Sequence, residues 1–239
     1  MNPPVSRFAE AVMSENKSGF VAVIPDIKCK SPKEGDLLRG RDPVKTARYL
    51  VDFCGAPALS VVTEKSRFGG GGQLLIDIAK GTNAPVLRKD FITNADQISE
   101  TKDLGAAAVL LICAVTDEKN LCMLYETALK TGLEPFVEVC TAKEMELAKK
   151  LGARLTGINN RNIITLERDS GGPSHTASLA PGVHDGALLI SESGILSPGG
   201  AKEAASAGAN ALLVGTALWK ARDMGEMYKS LRVKIKEGK

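Results

Sequence analysis

Histidine is almost missing from this chain: only His175 and His184 occur, both in a polar stretch rich in Pro and Gly. The five cysteines (Cys29, Cys54, Cys113, Cys122, Cys140) lie far apart and form no CxxC pair. Neither set has metal-ligand spacing, so the cysteines are expected to be buried and reduced, and the histidines to lie on the surface. No metal site is expected. Charge of one sign is lacking too. With 31 basic and 28 acidic side chains the net charge is +3, which argues against a nucleic-acid surface but allows a local anion site. No apolar run reaches membrane-spanning length and no signal peptide precedes the first predicted strand, so the expected location is cytoplasmic, with no membrane partner. There is no GxGxxG after the first strand and no GxxxxGK[ST] anywhere. The run GGGG at 69–72 lacks the Lys and Ser/Thr of a phosphate loop and reads as a flexible loop after strand two.

What is there is alternation. β-branched runs appear at residues 21–28, 58–63, 85–90, 107–114, 135–140, 155–161, 187–193 and 211–218. Helical patterns lie between them, as in DPVKTARYLVDF, NADQISETKDLG and TAKEMELAKKLG. Asp42, Asn94, Thr116, Thr141 and Ser197 are predicted N-caps, and Gly105, Gly132, Gly152 and Gly208 predicted helix stops. Strictly alternating βα units imply a parallel sheet with right-handed crossovers. About eight units in 239 residues predict an α/β fold with a closed (β/α)8 (TIM) barrel, one domain over 1–239 with residues 1–20 as a short N-terminal helical extension. The alternative is an open doubly wound sheet. The sixth unit is weakest, because residues 167–186 allow only a short helix.

The first strand poses a question. VIPDIKCKSP begins as a buried strand, then places Asp26, Lys28 and Lys30 two apart, on one face. Other strands end similarly, in Glu64, Lys89, Glu138, Asn159 with Arg161, Glu192 with Ser193, and Gly215 with Thr216. In a barrel, active sites form at the C-terminal strand ends. The charged row is then one sector of a ring, in which opposite charges can serve as acid and base. The segments SESGI (191–195) and LLVGTAL (212–218) end strands seven and eight with small residues, where backbone N–H groups bind phosphate. Ser31 and Lys28 would close that site from the first strand.

The blocks DIKCKSP, ALSVVTEKSRFGG, PVLRKDFI, EPFVEVCTAKEMELAKKLGA, GINNRNI, ISESGI and LLVGTAL, in this order, resemble the indole-3-glycerol-phosphate synthase family. The resemblance implies ring closure of 1-(2-carboxyphenylamino)-1-deoxyribulose 5-phosphate, with loss of carbon dioxide and water. It implies Lys89 as general acid and Glu138 as its partner during dehydration, with Lys28, Asp26, Asn159 and Glu192 completing the catalytic ring. Arg161 would face the substrate carboxylate. Phe68 and Phe91 would pack on its aromatic ring, and Ser31, Ser193, Gly194, Gly215 and Thr216 would hold the phosphate. It implies no cofactor, a small phosphorylated substrate as partner, and a monomer or weak homo-oligomer open to association with other tryptophan-pathway enzymes. Three departures stand out. Asp26 replaces the family Glu, Cys29 replaces the usual Arg, and the segment before the first strand is shorter. A paralogue acting on a related phosphorylated ketose and a non-catalytic phosphate-binding barrel are the alternatives.

Overall fold

The computed structural model describes residues 5–161, 163 and 171–235. Eight parallel strands close in chain order: β1 (Ala22–Ile27), β2 (Leu59–Val62), β3 (Val86–Lys89), β4 (Ala108–Ile112), β5 (Glu134–Val139), β6 (Leu155–Asn159), β7 (Leu188–Glu192) and β8 (Ala211–Val214). Because β1 pairs with both β2 and β8, the sheet has no edge. It is the expected (β/α)8 barrel, and the open doubly wound alternative falls.

Helices α1 (Arg7–Lys17), α2 (Pro43–Asp52), α3 (Gly72–Gly81), α4 (Ala95–Asp103), α5 (Glu118–Lys130), α6 (Ala142–Leu151), α7 (Ser174–Leu179), α8 (Pro198–Ser206), α9 (Thr216–Lys220) and α10 (Met224–Leu231) accompany the strands. Local chemistry sets where they start. The Asp42 carboxylate accepts from Val44 and Lys45 N–H, Asn94 and Thr141 form capping boxes with Gln97 and Glu144, and Ser197 accepts from Gly200 N–H. The cap of α5 is Asp117, not Thr116. Asp117 accepts the Asn120 N–H, while Thr116 is left to receive the Asn120 side-chain amide. The four predicted stop glycines all have positive φ.

Three other expectations change. The eighth strand stops at Val214, and the apolar run continues as α9, in which Ala217, Leu218 and Trp219 are all buried; a short apolar run does not reveal its period. The GGGG run is no loose loop. Gly70 lies so close to β2 that an added Cβ would sit 2.0 Å from the Val62 carbonyl oxygen, and Gly72 already opens α3. All five cysteines are free, but only Cys113 is buried, the others being half-buried, as are both histidines. Burial, aided by Glu144 and Glu138, pushes the Cys113 thiol up to about 12.

Alternation along each strand sorts side chains into two cores. Val23, Val61, Val109 and Leu111 face the helices. Ile24, Leu87, Leu110, Phe136, Ile190 and Leu213 fill the barrel, joined by Phe8, Ala9 and Val12 of α1. Helix α1 therefore plugs the N-terminal end of the barrel. Its Asn16 amide donates to the Phe20 and Asn210 carbonyls, just before β1 and β8. Removing the wholly buried Phe8 ring would cost about 3–5 kcal/mol. With α1 at this end, the candidate site lies at the C-terminal strand ends. Among the described residues no helix is long and apolar enough to cross a membrane.

Candidate active site

Ile24 points into the barrel, so Asp26 and Lys28, two and four residues later, share its face. Both are buried. Lys30 leaves the expected row, because β1 ends at Ile27 and Lys30–Ser31 pairs antiparallel with Gly35–Asp36, leaving Lys30 exposed. Asp26 Oδ1 accepts from Ser60 Oγ at 2.8 Å, and Oδ2 lies 3.9 Å from Lys28 Nζ.

The same parity carries Lys89, Glu138, Asn159 and Glu192 inward from β3, β5, β6 and β7. The Lys89 ammonium forms an ion pair with Glu192 and lies 3.7 Å from Glu138 Oε2. Asn159 donates to Glu138 Oε1 at 3.0 Å and accepts the Arg161 backbone N–H. Glu192 is wholly buried, and the chain makes room for it with Gly157. A Cβ at Gly157 would lie 2.7 Å from Glu192 Oε1 and 2.2 Å from the Phe136 ring. Among the described residues Glu192 Oε1 and Arg161 Nε have no hydrogen-bond partner.

Two cavities meet over this cluster. One, of about 370 Å³, is lined by Val62, Phe68, Phe91, Leu110, Ile112 and Ile163 together with Lys28, Glu64, Lys89, Asp90 and Glu138. The other, of about 360 Å³, is lined by Asp26, Lys28, Lys89, Arg161, Ser193, Gly194, Gly215 and Thr216, with Ile195, Leu196, Leu213 and Val214. Lys28 and Lys89 belong to both. The first cavity is apolar, with two aromatic rings in its wall. The second is polar and rimmed by the turns after β7 and β8.

Most of the expected residues converge here; besides Lys30, Ser31 and the Glu64 carboxylate do not. Ser31 lines neither cavity, and its hydroxyl accepts from its own turn at Lys33 N–H. Glu64 lines the apolar cavity but turns its carboxylate back, accepting from Ser66 Oγ and the Ser66, Arg67 and Phe68 N–H groups. Burial raises its pKa, but those hydrogen bonds outweigh burial and hold the carboxyl below its usual range. Its work is to shape the loop that carries Phe68.

Other residues were not singled out by the sequence. Asn160 is buried and donates its amide to Ser191 Oγ and to the Glu192 and Ser193 carbonyls, while Oδ1 accepts from Thr176. It fixes the turn in which Ser193 takes φ +63° and Gly194 φ +70°, a conformation costing a non-glycine residue about 1 kcal/mol. Arg88, next to Lys89 but facing outward, bonds Thr63, Glu100 and Thr101 and ties the end of β3 to α4. Adjacency to GINNR and RKD was the only sequence signal for either.

Fold and mouth together define a class, a (β/α)8 barrel with a buried lysine–carboxylate cluster between an apolar and a polar cavity. The family model for indole-3-glycerol phosphate synthase matches residues 1–231, and the chain belongs to that family. Curated indole-3-glycerol phosphate synthases similar to it include one from Pyrococcus furiosus, 43% identical over 87% of this chain and 90% of that one. Another, from Streptococcus gordonii, is 37% identical over 92% of this chain and 84% of its own length. A thiamine phosphate pyrophosphorylase from Pyrococcus furiosus shares the fold, with a TM-score of 0.65 at 16% identity over 91% of this chain and 95% of that one.

Proposed function

We propose that this mouth carries out the family's reaction, the decarboxylating and dehydrating ring closure of 1-(2-carboxyphenylamino)-1-deoxyribulose 5-phosphate to indole-3-glycerol phosphate in tryptophan biosynthesis. One observation carries the reading: an apolar, aromatic-walled cavity and a polar cavity meet at Lys28 and Lys89. The substrate is built the same way, with an aromatic ring at one end, a phosphate at the other and a ketone between.

Phe68 and Phe91 pack on the ring. Ser193, Gly194, Gly215 and Thr216 offer backbone N–H groups and hydroxyls to the phosphate. Ser31 is not part of this grip. The two anchors hold the ring carbon against the ketone carbon, which lowers the entropic part of the barrier. As that carbon–carbon bond forms, Lys89 gives a proton to the ketone oxygen. The carboxylate leaves as carbon dioxide, and its bonding electrons return to the ring. Arg161 supplies the cation that holds the carboxylate until then, a task its planar fork suits. The new hydroxyl then departs as water. Lys89, which has regained a proton from solvent, protonates it, and Glu138, oriented by Asn159, accepts the proton released from the ring system. Glu192 orients Lys89, while Lys28 and Asp26 set the charge at the junction of the cavities.

Two partial ligands test the arrangement. An N-alkylated anthranilate and inorganic phosphate should each inhibit competitively and bind together, because they fill separate cavities. Mutually exclusive binding would contradict the bipartite site.

A further inference from the structure

Asp26 stands at the end of β1 and Lys28 just beyond it. A side chain that ties this end down is Trp219, the one tryptophan of the chain. The indole Nε1–H donates to the Asp26 carbonyl at 2.9 Å, across 193 residues of sequence. Trp219 is 1% exposed and lies in α9, directly after the Gly215–Thr216 turn of the polar cavity. That turn also touches Asp26, since a Cβ on Gly215 would sit 3.2 Å from Asp26 Oδ2. From the far side Arg41 covers the indole, its guanidinium carbon 5.3 Å from the ring centroid, and donates to the Trp219 carbonyl. Arg41 also donates to the Leu37 and Leu38 carbonyls, so the loop following β1 is fastened to the same indole.

Leucine or phenylalanine would fill this space and satisfy the core. Neither would donate to the Asp26 carbonyl, which would then lose its side-chain donor in a buried place. Packing alone therefore does not account for an indole here; its N–H fixes the main chain at the residue whose side chain faces Lys28.

We propose that Trp219 is a positioning residue for the reaction. It registers the Asp26–Lys28 end of β1 against the Gly215–Thr216 turn, so that filling the polar cavity is felt at the acid–base cluster. This rests on the reading of that cavity as the phosphate site. A displacement of about an ångström at a reacting group costs up to about a hundredfold in rate, so loss of the N–H acts mainly on kcat.

The test uses the full chain. In Trp219→Phe, kcat for the ribulose phosphate substrate should fall about tenfold or more and the pH dependence of kcat should move, while inhibition by inorganic phosphate stays within about twofold of wild type. A merely structural role would lower the melting temperature and leave kcat and its pH profile as they are, and that result overturns the proposal. A second measurement needs no variant. Trp219 emission in the wild type should change as inorganic phosphate is titrated, with the same midpoint as inhibition. Inhibition with unchanged emission would overturn the proposal even if Trp219→Phe did not fold. Failure of phosphate to inhibit at all would instead remove the phosphate reading on which it rests.

Discussion

Lys89 and Glu192, 103 residues apart, meet as an ion pair in the centre of the barrel mouth, with Glu138 3.7 Å from the same ammonium. One ammonium thus stands between two carboxylates that have different supports. Glu138 is held by Asn159, and Glu192 is wholly buried above Gly157.

Lys89→Ala should leave phosphate inhibition largely intact and remove most turnover, by about a hundredfold to ten-thousandfold, the usual range for a general acid. Steady-state kinetics decide. A variant with near wild-type kcat would take the acid role away from Lys89.

Gly157→Ala adds a methyl where the nearest atoms are 2.2 Å and 2.7 Å away. Overpacking of this kind costs about 1–3 kcal/mol or more. The strain also displaces Glu192, so melting temperature and kcat should fall together. A variant that lost stability but kept kcat would show that Glu192 needs no exact placement.

Asp26→Asn keeps the size of the side chain and its contact with Ser60 but removes the charge beside Lys28. The expected result is a kcat lowered about tenfold or more. Asp26→Glu keeps the charge and should remain active. If Asp26→Asn matched wild type, Asp26 would serve packing alone.

Thr216→Glu puts a carboxylate on the rim of the polar cavity. Like-charge repulsion should weaken substrate and inorganic phosphate alike. Unchanged inhibition by phosphate would move the phosphate site elsewhere.

Glu64 gives a pH signature. Its folded-state pKa is depressed, so the stability it contributes is complete above the ordinary carboxylate range and is lost as pH falls through the folded value. Glu64→Gln should therefore be less stable than wild type at pH 7, and the gap should close below about pH 4. Denaturant unfolding at several pH values reads this directly. A gap independent of pH would rule out the charge as its source. The KM for substrate should also rise at neutral pH, because the loop carries Phe68.

Periodicity and punctuation made most of the fold legible. Alternation gave eight strands and the shared face of Asp26 and Lys28, and the side chains of Asp42, Asn94, Thr141 and Ser197 marked helix starts. Errors fell where one residue type serves two structures. An apolar run hid the change from β8 to α9, Asp117 competed with its neighbour Thr116 for the same cap, and a hairpin diverted Lys30. Within the site, strand ends pointed to Lys89, Glu138, Asn159 and Glu192. Ser60, Gly157, Asn160 and Trp219 stayed hidden because each acts through a contact distant in sequence. A hydroxyl on Asp26, a missing methyl under Glu192, an amide beneath the Ser193 turn and an indole N–H on β1 leave no period in the chain. Glu64 misled for a related reason: position alone does not reveal that a carboxylate turns back on its own loop.

The most direct test of the account is turnover of 1-(2-carboxyphenylamino)-1-deoxyribulose 5-phosphate by the purified chain, following indole fluorescence and released carbon dioxide together. The account requires both to appear in equal amounts, and both to be lost in Lys89→Ala while phosphate still binds. Absence of both signals from wild-type protein that binds inorganic phosphate would contradict it and leave a phosphate-binding barrel without this chemistry.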